Sequence, residues 1–152
     1  MIKYVIAALC LVLINTSCKK KNDDPVISVN DTTKLSSSFS ANIGSRPFKA
    51  TDFFVSVDSM NGLIVQGSGM IGTSSAQIIN LSVKNFHGAT EYTIKDDTRA
   101  SYSDAFAPFI AETGTIIVSK FDSLHVKGQF SFEAKGRNGQ QSISLGYFDL
   151  VR

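Results

Sequence analysis

Histidines and acids are where catalytic or metal chemistry would first show in this chain. His87 and His125 are its two histidines. A zinc centre needs three or four His, Cys, Asp or Glu ligands at compatible spacing, and neither histidine has a partner so placed. His125 falls on the polar phase of an alternating run and His87 in a turn, so no metal is assigned. Asp96, Asp97 and Asp104 form the densest acidic group. An EF-hand would repeat Asp at alternate positions before a glycine; this stretch does not, and it reads as a solvated loop. Serines are abundant, yet no Gly-x-Ser-x-Gly elbow occurs, because Gly67-Ser68-Gly69 lacks the outer spacing. Gly67, Gly69 and Gly72 share one strand-and-turn region, whereas a phosphate-cradling loop must open a helix. Asp52, Asp58, Glu91, Glu112, Glu133 and Asp149 are scattered like ordinary surface charges. No catalytic residue and no cofactor is assigned.

Aromatic side chains offer a different chemistry. Tyr92, Tyr102, Phe106 and Phe109 bracket the polar stretch at residues 95–105. On loops, such rings could stack on sugar faces or grip a peptide. The alternative is that they cap the end of a barrel as core. These four are the candidate ligand-binding residues, with a glycan, a peptide or an envelope protein as partner classes.

The elements that must position these groups are strands. From Leu124, every second residue to Ala134 is apolar or glycine, and every residue between is polar. Period two over twelve residues marks a strand with one dry face and one wet face. Similar alternation runs through Phe39, Ala41 and Ile43, through Phe53, Val55 and Val57, and through Ile79, Leu81 and Val83. It recurs at Ile143 and Leu145, then slips by one to Phe148 and Leu150, which predicts a bulge near Gly146. Asn61-Gly62 and residues 137–140 carry hairpin turn signals. Residues 106–111 around Pro108 suggest an edge strand, and Thr113-Gly114 a turn. About nine or ten short strands and no amphipathic helix predict an all-β antiparallel meander closing into a small barrel or sandwich. Most Phe residues fall on inward phases.

The front of the chain differs in kind. Lys3, an apolar run over residues 4–14 and then Asn15, Thr16, Ser17 and Cys18 have the layout of a secretory signal peptide. The run is shorter than the roughly 20 apolar residues a membrane span needs. The small residues ending at Cys18 resemble the lipobox of bacterial lipoproteins, which implies a leader over residues 1–17 and lipid on Cys18. Lys19, Lys20, Lys21, Asn22, Asp23, Asp24 and Pro25 then read as the start of a solvated tether over residues 18–38. Lys19 stands where an inner-membrane retention signal would carry aspartate, so the resemblance implies the cell outer membrane, on either leaflet.

The domain from residue 39 to 152 rests on its core. Loss of Cys10 with the leader and lipidation of Cys18 leave no thiol for a disulfide. Of fifteen Lys and Arg, four lie before Asp31; of thirteen Asp and Glu, two do. The remainder is formally neutral and offers no electrostatic case for nucleic acid.

Phe39-Ser40-Ala41-Asn42-Ile43 with Pro47-Phe48-Lys49-Ala50 resembles the opening of an uncharacterised family of Bacteroidetes envelope lipoproteins. Gly114-Thr115-Ile116, Val126-Lys127-Gly128-Gln129-Phe130-Ser131-Phe132 and Gly146-Tyr147-Phe148-Asp149 extend the likeness. It implies a β-rich, secreted, lipid-anchored domain and adds no site. The expected function is a cell-envelope lipoprotein with a non-enzymatic ligand-binding or interaction domain. The alternatives are a structural subunit of an outer-membrane complex, or an enzyme whose site is unrecognised.

Overall fold

A computed structural model describes residues 36–58, 62–71, 75–105 and 107–152. The leader, Cys18 and nearly all of the tether lie outside the described residues. The alternating runs form β1 (Ser38–Ile43), β2 (Arg46–Lys49), β3 (Asp52–Val57), β4 (Leu63–Ile71) and β5 (Ser75–Val83). The second half carries β6 (Glu91–Thr93), β7 (Thr98–Ser103), β8 (Pro108–Phe121), β9 (His125–Gly136) and β10 (Gly139–Val151). No helix occurs among the described residues.

All pairings are antiparallel, in the order β2, β1, β10, β9, β8, β7, β5, β4, β3, with β6 also on β8. The sheet curls into a half-barrel. Its curl shows where β2 passes into β3: Ala50 N–H donates to Phe39 O of β1, and Thr51 N–H donates to Ser68 O of β4. Two consecutive residues thus bond to strands near opposite ends of the sheet. The glycines of β4 allow this approach. A Cβ on Gly67 would overlap the Phe39 ring, and one on Gly69 would come within 2.9 Å of Lys49 O. Glycine inside a strand here marks close packing, in keeping with its sequence reading.

β9 supplies the centre of the core, as its pattern requires. Val126, Gly128, Phe130, Phe132 and Ala134 are buried, and the residues between them face out. Phe130 lies opposite Gly146 and Phe148 opposite Gly128, so each ring spreads over a glycine. A Cβ at either glycine would stand 2.5 Å from that ring. Phe39, Ile43, Phe48, Leu63, Ile79, Ile116 and Leu150 complete the filled interior. The anticipated slip near Gly146 is a bulge: β9–β10 register shifts between Ile143 and Gly146. Leu145, at its crest, has φ +50° and is 79% exposed.

Several expectations need correction. Phe53 belongs to a strand at the end of the pairing order and stays partly exposed, while Val55 and Val57 pack on the core. Leu124 precedes β9 and is exposed. Residues 95–105 are not one loop: they contain β7, whose inward side chains, Thr98, Ala100 and Tyr102, are too mixed in polarity to announce a strand. Pro108 opens β8, which lies between β7 and β9 and is no edge; at the first position its missing N–H breaks no ladder. Thr113-Gly114 does not end that strand. It is a register shift within β8, where a Cβ on Gly114 would run into Ser131 O and Phe132.

Both hairpin signals find their hairpins, with altered turns. β3 and β4 are joined across residues 58–62, with Val57 opposite Leu63. Gly62 N–H donates to Asp58 Oδ1 at 2.7 Å, and Asn61 lies outside the described residues. In the last hairpin Gly136 pairs with Gly139, so Arg137 and Asn138 form the turn.

Candidate functional site

Three of the four aromatic candidates, Tyr92, Tyr102 and Phe109, are buried and form no exposed surface. Tyr102 and Phe109 are buried and stacked, with ring centroids 5.6 Å apart. Tyr92 is buried at a different place, where its hydroxyl donates to Gly88 O and accepts from His87 N–H, fastening the turn before β6. Phe106 lies outside the described residues. The barrel-capping alternative describes the other three better, because their rings supply apolar area the core uses.

Tyr102 belongs to a buried polar pair. Its hydroxyl sits 2.8 Å from Gln77 Nε2, and Gln77 Oε1 has no hydrogen-bond partner. Burial pushes the Tyr102 phenol above its ordinary pKa, with a further upward push from Asp104.

The acids and histidines are dispersed. Asp97 accepts from Asn85 Nδ2 and Asp104 from Ala107 N–H, so both shape turns. His87 Nδ1 lies 3.0 Å from Asn85 O. Among the described residues, no three His, Cys, Asp or Glu side chains gather as a metal group would require.

His125 does have a partner, one that only strand pairing supplies. Its Nδ1 lies 3.2 Å from Asp149 Oδ1 across β9 and β10. Tyr147 OH donates to Asp149 Oδ2 at 3.3 Å, and Lys127 Nζ stands 3.6 Å from the same oxygen. The Tyr147 phenol, more than Asp149, raises the pKa of the Lys127 ammonium. A His–Asp pair can support proton transfer when a nucleophile adjoins the imidazole. No hydroxyl or thiol among the described residues hydrogen-bonds this one, and the cluster acts as a cross-strand fastening. In the adjoining turn, Asp122 accepts from Leu124 N–H and His125 N–H, and Lys120 Nζ lies 2.9 Å away. Lys120 first, then those amides, hold its carboxyl well below the usual carboxylate range.

The outward face of β3, β4, β5, β7 and β8 differs from this charged wall. Strand register lays Ser56, Ile64, Ser82 and Arg99 in one row. Phe54, Gln66, Asn80, Ser101 and Ile110 form the next. Arg99 is the one charge in these two rows. Phe54, Met70, Ile78 and Ile110 are exposed on the same face. A groove of about 260 Å³ crosses it, lined by Asn80, Ser82, Arg99, Ala100, Ser101 and Ile110. Asn80 Oδ1, at this groove, has no hydrogen-bond partner. A second hollow of about 410 Å³ adjoins at Ser82 and extends to Asp58, Lys84 and Asn85. The sequence gives little sign of this groove because half of its lining, Arg99, Ala100 and Ser101, lies on β7. The period-two alternation of Arg99, Ser101 and Ser103 was the available signal.

Fold and surface together define a class: a small antiparallel half-barrel with a filled interior and a weakly charged, grooved outer wall. The chain belongs to the DUF6252 family, a domain of unknown function, whose model matches residues 36–149. No curated protein and no solved structure matches it.

Proposed function

We propose that this protein is a lipid-anchored cell-envelope lipoprotein whose β domain works by non-enzymatic binding at its outer wall. The observation that carries this reading is the pairing of a side-chain-filled interior with an outer face bearing exposed Phe54, Met70, Ile78 and Ile110. A filled lumen directs recognition outward, and this wall carries four exposed apolar side chains spaced among polar ones, a mixed surface suited to contact. The leader and Cys18 support placement at the outer membrane. Exposed apolar side chains also favour a partner protein of an envelope assembly over a purely structural wall.

Two experiments test the two halves. Cys18→Ser should move the protein from the membrane to the soluble fraction; membrane retention of the variant would refute the anchor. A photo-crosslinking residue at Phe54 should trap a discrete adduct in intact cells, whereas one at Gln129 on β9, outside these rows, should not. Equal yields at both positions would refute the assignment of the face.

A further inference from the structure

We infer that the groove over β5 and β7 binds a saccharide unit bearing a carboxylate. This deepens, and rests on, the reading of the outer wall as a binding surface. The cation comes first. Arg99 is exposed and has no acidic partner among the described residues. Its planar fork matches a carboxylate through two parallel N–H bonds. Directly opposite Arg99 stands Ser82, and Ser101 stands opposite Asn80. Two hydroxyls and a primary amide beside a guanidinium supply both donors and acceptors, the complement of a hydroxyl-rich ring. Asn80 Oδ1 itself is enclosed, so the reachable polar contacts of the groove fall chiefly to Arg99, Ser82 and Ser101.

Size and backbone narrow the ligand further. The groove holds about 260 Å³, against about 30 Å³ for a water in the liquid, which suits a sugar-sized group better than a bare anion. Exposed Ile110 gives one side an apolar wall for the C–H face of a ring. Strand addition by an extended peptide is closed here, because it needs a free edge and β5 and β7 each have neighbours on both sides.

The test titrates the full chain in detergent micelles with tetragalacturonate and with its fully methyl-esterified form. The acid should bind saturably. Esterification, or Arg99→Gln, should weaken binding by about tenfold or more, the scale of a hydrogen bond to a charged group. Ser101→Val, which replaces a groove hydroxyl with methyl groups, should weaken binding, while Gln129→Ala should leave it unchanged. Absence of saturable binding, equal affinity for acid and ester, or an Arg99→Gln variant of wild-type affinity would each overturn the inference. Because esterification is read on the unaltered chain, a poorly folding variant cannot rescue it. A Phe54 adduct in cells without saccharide binding would remove this inference alone and leave the interaction surface standing.

Discussion

Removing the Tyr102 hydroxyl tests the buried polar pair in a way that depends on how the core is closed. Tyr102 is 1% exposed and Gln77 3%. Their single hydrogen bond, at 2.8 Å, is the amide's one satisfied contact, since Oε1 is already orphaned. Tyr102→Phe keeps the ring stacked on Phe109 but strips the amide of its partner. Leaving a buried polar group unpaired costs about 1–3 kcal/mol. At roughly 4–8 °C per kcal/mol for a domain of about 100 residues, the midpoint should fall by at least about 4 °C. Gln77→Met alone moves the orphan to the phenol, a trade of similar size. The double variant, Gln77→Met with Tyr102→Phe, removes every polar atom from the site, and apolar replacement of both partners is nearly neutral or stabilising. Urea denaturation of all four proteins should therefore show a double variant at least as stable as the wild type. A double variant as weak as the sum of its singles would refute the reasoning.

Leu145→Gly should stabilise the fold by about 1 kcal/mol, because it relieves a left-handed backbone at a side chain that buries almost nothing; calorimetry showing a lower midpoint would contradict this. Gly67→Val should destabilise by about 1–3 kcal/mol through overlap with Phe39, read as a lower urea midpoint. Asp122→Ala should lower the thermal midpoint at pH 7. Because the folded carboxyl has its pKa depressed below the unfolded value near 4, that stabilisation is present above pH 4 and is lost as pH falls further. The gap between variant and wild type should therefore narrow with acidification, and a gap unchanged down to pH 2 would refute the role of the ionised turn.

Local pattern was enough for the strands that bury one strongly apolar face. β9 alternates so cleanly that its fold, its core side chains and its outward His125 could be read directly, and the phase slip at Gly146 already announced the bulge. The proposed leader and lipid at Cys18 rest on local order along the chain alone. β7 escaped notice because Thr98, Ala100 and Tyr102 become core only when β5 and β8 flank them. Tyr92, Tyr102 and Phe109 looked like candidates for an exposed surface until the curl of the sheet buried them. The His125–Asp149 contact and the Asn80–Arg99 groove join residues roughly 20 positions apart. Alternation tells a residue which way to face; only register, set by pairing across the whole half-barrel, tells it whom to stand beside.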